Sequence, residues 1–220
     1  MDFKRIVLLS GHYGSGKTNI AINIARQMKQ TKDRVVIADV DIVNPYFRAA
    51  DSRKQLQDAG IQLICSEFAS SNVDLPALPQ EIYAITDNRE LSAVIDVGGD
   101  DRGALALGRW REAILAEDNY EMLLVVNCFR PLTRTAEDTL EIMREIEWAA
   151  GMRFTGVVNN SNLAGETTEQ TVLDSAAYAK AVCETAGLPL KMTTVPAELY
   201  ENLKGRIENL FPLTLQDKII

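Results

Sequence analysis

The string GHYGSGKT, Gly11 to Thr18, sets a lysine and a hydroxyl side by side behind three glycines. Gly11, Gly16, Lys17 and Thr18 satisfy the spacing G-x-x-x-x-G-K-[ST], with an apolar run before them (Ile6 to Leu9) and a helical pattern after them. A loop of this kind turns successive backbone N–H groups inward toward phosphate oxygens, and the helix that follows adds the positive end of its dipole. The chemistry expected is the holding of a nucleoside triphosphate, with Lys17 bridging the β- and γ-phosphates and the Thr18 hydroxyl ligating Mg²⁺. Gly14, Ser15 and Asn19 complete the residues expected to line the nucleotide. His12, the one histidine of the chain, is read as a loop residue that faces outward or stacks near the nucleotide, without assigned chemistry.

A phosphate loop needs a carboxylate at the end of a neighbouring strand to hold the metal's water shell. AVIDVGG supplies Asp96 at the end of an apolar strand, with Gly98 and Gly99 following where backbone can approach a phosphate. VVIADVDIVNPYF supplies Asp39 and Asp41, two residues apart, whose side chains leave an extended chain on the same side. One could orient the attacking water while the other supports the metal or the loop, and Asp39 is counted with Thr18 and Asp96 among the candidate metal residues. The alternative, capping the helix after Asn44-Pro45, suits Asn44 better.

These residues need a parallel sheet to bring them together, and the chain has the pattern for one. Short apolar runs alternate with longer helical stretches, as in successive βαβ units of an α/β fold. Strands are predicted at Arg5 to Leu9, Arg34 to Ala38, Gln62 to Cys65, Ala93 to Val97, Met122 to Asn127, Phe154 to Val158 and Lys191 to Val195. Helices are predicted at about Lys17 to Gln30, Pro45 to Ala59, Pro79 to Asn88, Leu105 to Glu117, Thr133 to Ala150, Thr167 to Ala186 and Ala197 to Lys204. Gly60, Gly151 and Gly187 stand where helix ends favour a left-handed residue. With no long linker or repeat, residues 1–220 are read as a single domain.

Composition narrows the function classes. A net charge of -8 disfavours general nucleic-acid binding. The opening MDFKRIVLLSG is too short in apolar residues for a secretory or membrane segment, and a cytoplasmic protein is expected. Cys65, Cys128 and Cys183 are widely spaced and read as reduced thiols, the alternative being a cluster shared between two copies.

The segments GHYGSGKTNIAINIARQMK, VVIADVDIVNPYF, VIDVGG, GVVNNSN and TTVPAE together resemble the CobQ/CobB/MinD/ParA nucleotide-binding family. The resemblance implies a P-loop NTPase fold: a three-layer α/β/α sandwich with a mostly parallel central sheet of about seven strands. It implies ATP and Mg²⁺ as cofactors, Asp41 as the residue orienting the hydrolytic water, and a second switch at Asp96 and Gly99. It also implies adenine contacts from Asn159 and from a segment beginning at Pro196, with Ala197 and Glu198 beside the ring. Two departures stand out. The family's loop usually carries an early lysine that reaches a partner's nucleotide, and here His12 stands in its place, with Tyr13 where a second glycine is usual. The tail, interrupted by Pro212 and mixed in charge, is unlike the family's basic membrane helix, so no membrane partner is expected.

The favoured reading is an ATP-dependent switch for an unidentified protein partner, with a homodimer as one form. NPYFRAAD and GDDRGALALGRW are the segments offered to the partner, and Tyr46, Phe47 and Trp110 are either its anchors or core residues. The alternatives are a small-molecule ligase or kinase, with Arg102, Arg109 and Arg111 holding an acidic substrate, and a nucleotide sensor without turnover.

Overall fold

The structure is a computed structural model that describes residues 1–40, 52–65, 80–99, 104 and 106–215. Asp41, Tyr46, Phe47 and Arg102 lie outside the described residues, as does the side chain of Arg109.

Among the described residues eight strands form one sheet: β1 (Ile6–Ser10), β2 (Val35–Asp39), β3 (Gln62–Cys65), β4 (Ser92–Asp96), β5 (Tyr120–Val126), β6 (Gly156–Asn159), β7 (Leu190–Pro196) and β8 (Leu210–Leu213). Their order is β3-β2-β4-β1-β5-β6-β7-β8, and every neighbouring pair is parallel. All the strands therefore end at one edge of the sheet. Seven α-helices are described: α1 (Lys17–Lys29), α2 (Arg53–Asp58), α3 (Ala84–Asp87), α4 (Arg111–Glu117), α5 (Ala136–Ala150), α6 (Glu169–Ala186) and α7 (Tyr200–Leu203).

The central strands are buried along their whole length, which is why they read as continuous apolar runs rather than alternating ones. Val7, Leu9, Ile37, Val94 and Val125 pack against Ile20, Ile24 and Met28 of α1 and Leu56 of α2. Their neighbours Ile6, Leu8, Ile95 and Leu124 point the other way, onto Ile114 of α4, Leu140, Met143 and Ile146 of α5, and Val182 of α6. The alternation of side chains along a strand thus builds the three layers. Helix ends follow local chemistry: Thr135 accepts the Asp138 N–H at the start of α5, and Thr168 and Thr171 form a capping box on α6.

Three expectations change. The sheet has an eighth strand, β8, inside the tail that Pro212 was expected to interrupt. Pro212 is exposed in the outermost strand, where a missing N–H leaves no ladder partner unsatisfied. The helix predicted at Pro79 to Asn88 is a 3₁₀ turn, Gln80–Tyr83, followed by the short α3. The one predicted at Leu105 to Glu117 is likewise divided, between a 3₁₀ turn at Ala106–Arg109 and α4. Trp110 between them is 3% exposed, so it belongs to the core and is no partner anchor.

Candidate functional site

The loop between β1 and α1 is shaped by close approaches that only glycine allows. Gly11 has φ 146°, and a Cβ there would lie 2.3 Å from the Val125 carbonyl oxygen of β5. Gly16, at the N-cap of α1, has φ 92°, and a Cβ there would meet Asn160 Nδ2 at 2.2 Å. Between them, Ser15 N–H donates to the His12 carbonyl at 3.1 Å and closes the turn. Gly99, after β4, presses on the same loop from the side: its Cβ would stand 2.6 Å from Tyr13 N and 2.9 Å from Gly11 O.

Lys17 is buried, and its ammonium folds back to donate to the carbonyls of Gly11 at 3.0 Å and His12 at 3.4 Å. Thr18 Oγ1 donates to Asp96 Oδ2 at 2.6 Å, linking the first turn of α1 to the end of β4. Asp39 closes β2 directly beside Asp96, the two being partners in the strand register, and both are buried. Two of the predicted metal residues therefore touch, and the third stands in register with one of them. Asn19 lies in the first turn of α1, and its carbonyl accepts from Asn23 Nδ2 at 2.8 Å.

The start of α1 carries neither a side-chain cap nor an acidic residue in its first turn. Its N-terminal N–H groups and dipole thus face the loop with no negative side chain of the helix's own opposing them. The hydroxyl of Ser15 is buried with no hydrogen-bond partner among the described residues. An oligophosphate would meet that need, because it brings many acceptor oxygens to a cradle rich in donors. Mg²⁺ fits the donor set as well: Thr18, Asp39 and Asp96 offer hard oxygens. Among the described residues no group of three acidic, His or Cys side chains could enclose a metal alone, and a Mg²⁺ that borrows ligands from phosphate and water needs no such cage.

His12 is held below its ordinary pKa by burial first, against a raising hydrogen bond with the Tyr13 backbone. The charges of Lys17 and Arg130 lower it further. At neutral pH the imidazole is uncharged, so the position where related loops carry lysine contributes no cation here.

Asn159 and Pro196 end β6 and β7 at the same edge of the sheet. Asn159 is fully buried; its Nδ2 donates to Ser175 Oγ at 2.9 Å and its Oδ1 accepts the Ser161 N–H at 3.2 Å. Contact between this side chain and a base would have to displace those bonds. Pro196 is half-buried and opens a 3₁₀ turn, Ala197–Leu199. Arg111 lies elsewhere: it packs against Gly151 at the end of α5, where an added Cβ would meet Nη1 at 2.2 Å. That helix end leads into the start of β6, away from the phosphate loop, so Arg111 does not hold an acidic substrate there.

The residue that joins β6 to the loop is one that sequence reasoning passed over. Asn160 is buried, its Nδ2 donates to the Ser15 carbonyl at 2.5 Å, and its Oδ1 accepts from Thr194 Oγ1 of β7. Its only signal in the sequence is the polar run NNSN directly after an apolar strand.

Residues 6–174 match the CobQ/CobB/MinD/ParA nucleotide-binding domain. The chain belongs to the CobQ/CobB/MinD/ParA family. The match takes in β1 to β6, the loop, Asp39, Asp96, Asn159 and Asn160. No curated protein matches the chain in sequence. Its fold is similar to that of FtsY from Mycoplasma mycoides, at 20% identity and TM-score 0.57, covering 88% of this chain and 62% of that one. It is also similar to chloroplast FtsY from Physcomitrella patens, at 19% identity and TM-score 0.54, covering 88% and 59%. A third similar structure is the cell division protein FtsY from Thermotoga maritima, at 18% and 0.51, covering 89% and 62%. The chain thus spans less than two thirds of the length of each, and the likeness is one of fold. As a CobQ/CobB/MinD/ParA domain, the chain has nucleotide binding as its coarse function. No helix among the described residues is long and apolar enough to cross a membrane.

Proposed function

We propose that this chain is a single cytoplasmic domain that binds ATP with Mg²⁺ at the loop from Gly11 to Thr18 and hydrolyses it slowly. The difference between the ATP and ADP states is then read by a protein partner. The observation that carries the reading is the bond from Thr18 to Asp96 below a helix N-terminus free of acidic side chains. It ties the site of the triphosphate to the strand whose following segment, GDDRGALALGRW, would respond to it.

In this reading Lys17 exchanges the Gly11 and His12 carbonyls for phosphate oxygens, and Gly14, Ser15, Gly16 and Asn19 line the chain of phosphates. Thr18, Asp39 and Asp96 hold Mg²⁺, which supplies charge neutralisation at the phosphates when bound. Asp41 orients a water toward the γ-phosphorus; the bond to the β–γ bridging oxygen breaks, giving ADP and phosphate. The base lies toward Asn159 and Pro196. The partner meets NPYFRAAD and GDDRGALALGRW, and a second copy of the chain is a candidate for it beside an unidentified protein.

A second reading, a ligase or kinase that uses ATP to activate a small molecule, draws support from the uncharged His12, which removes the lysine that would reach a second copy's nucleotide. Equilibrium binding and turnover test the first. Lys17→Ala loses ATP binding, whereas Asp41→Ala keeps binding and loses phosphate release. Equal turnover by the Asp41→Ala protein would remove Asp41 from the mechanism. Tighter binding of GTP than ATP would overturn the choice of base, and turnover only with an added carboxylate or amine would favour the ligase.

A further inference from the structure

Arg130 lies on the turn that follows β5, and its backbone is held firmly. Its N–H donates to the Asn127 carbonyl at 3.1 Å, its own carbonyl accepts the Thr133 N–H at 3.1 Å, and Thr133 Oγ1 donates to the Asn127 carbonyl at 2.7 Å. Pro131 follows and restricts the chain further. From that base the side chain runs over Gly14 of the phosphate loop. A Cβ at Gly14 would stand 3.6 Å from Arg130 Nε, 3.7 Å from Cζ and 3.9 Å from Cδ, ordinary contact distances.

The guanidinium is exposed and makes no ion pair or side-chain hydrogen bond among the described residues. No acidic residue stands in the loop from Gly11 to Lys17 to attract it. Lys17, in that same loop, carries a like charge, and both cations act on His12. A planar fork of donors laid against a cationic loop becomes more favourable once an anion lies between.

We propose that Arg130 is the second phosphate-binding cation of this site, supplied by the same chain from the turn after β5, above Gly14. This rests on the reading that the loop holds a nucleoside triphosphate, and it names a residue of the chain's own for the charge that His12 does not supply. It explains why the loop can do without an early lysine: the cation comes from the neighbouring strand's turn rather than from a second copy. The ligand group is the oligophosphate tail, so the same contact extends to inorganic tripolyphosphate.

The test is calorimetric titration of ATP·Mg²⁺ and of inorganic tripolyphosphate with Mg²⁺ into the full chain. The proteins compared are wild type, Lys17→Ala, Arg130→Ala, Arg130→Lys and Arg134→Ala, the last removing an exposed arginine four residues further on. Loss of a charge-assisted fork should weaken both ligands by roughly 10-fold to 100-fold in Arg130→Ala. Arg130→Lys should recover part of the loss, and Arg134→Ala should bind as wild type. Melting temperatures without ligand should agree between Arg130→Ala and wild type, since the guanidinium has no ion pair or hydrogen bond among the described residues to lose. Wild-type affinity in Arg130→Ala, with Lys17→Ala still losing binding, would overturn the role of Arg130 and leave the nucleotide site standing. An equal loss in Arg134→Ala would overturn it too, by reducing it to net charge. Failure of the wild type to bind either ligand would overturn the nucleotide reading and this proposal with it.

Discussion

Asn160 is the residue through which β6 and β7 hold the phosphate loop, and a substitution there measures how much the loop depends on the sheet. Asn160→Ala removes the donor to the buried Ser15 carbonyl and the acceptor of Thr194 Oγ1, leaving the latter only its longer contact, 3.3 Å, with the Asn159 carbonyl. A net hydrogen bond is worth about 1 kcal/mol, and a buried group left without a partner costs about 1–3 kcal/mol. Together they predict a loss of about 2–4 kcal/mol. In a chain of this size that lowers the melting temperature by roughly 5–15 °C. Gly16→Ala attacks the same contact from the other side. At φ 92° an alanine costs about 1–2 kcal/mol in backbone energy, and its Cβ would occupy a point 2.2 Å from Asn160 Nδ2, forcing the amide off Ser15. Once Asn160 is alanine that second cost disappears. Urea unfolding of the two single variants and the double should therefore show the double variant more stable than additivity predicts, by about 1–3 kcal/mol. Additivity within about 0.5 kcal/mol, or a wild-type midpoint for Asn160→Ala, would refute the idea that this amide supports the loop.

Two further expectations follow from the same geometry. Gly99→Ala should weaken ATP·Mg²⁺ binding at least about 10-fold while the fold persists, because its Cβ would stand 2.6 Å from Tyr13 N and push the loop out of shape; titration at matched melting temperature checks it. His12, lowered from its ordinary value by burial first, carries fewer protons folded than unfolded. Its contribution to stability is therefore full above about pH 6.5 and is lost as pH falls from there through its folded value. Nucleotide-free wild type should lose stability over that window more steeply than His12→Asn in denaturant titrations at stepped pH, and parallel curves would contradict the burial of the imidazole.

What was legible in the sequence is what depends on neighbours along the chain. GHYGSGKT declares its loop because the backbone conformations at Gly11 and Gly16 leave no other residue type, and AVIDVGG declares Asp96 because an apolar strand ends there. Helix α1 was readable from its spacing, and α5 and α6 from spacing and from Gly151 and Gly187 at their ends. What escaped depends on contacts between distant segments. Asn160 meets Ser15 across the sheet, and nothing in NNSN says which of its asparagines turns toward the loop. Arg130 reaches Gly14 because β5 lies beside β1, an order that the pattern of alternating strands and helices leaves open. β8 was missed because LFPL is short and carries a proline, and only its place at the edge makes that proline harmless. Trp110 could be read either way, as a partner's anchor or as core, and only its packing in one cluster with Leu107 and Ile114 decides for the core.

The central claim is that this loop holds a triphosphate for turnover. Phosphate release from ATP·Mg²⁺ by the purified wild-type chain, with Lys17→Ala as its blank, tests it most directly. The account predicts slow release by the wild type and none above background from the variant. Release that is absent from the wild type, or equal in the two proteins, would contradict it.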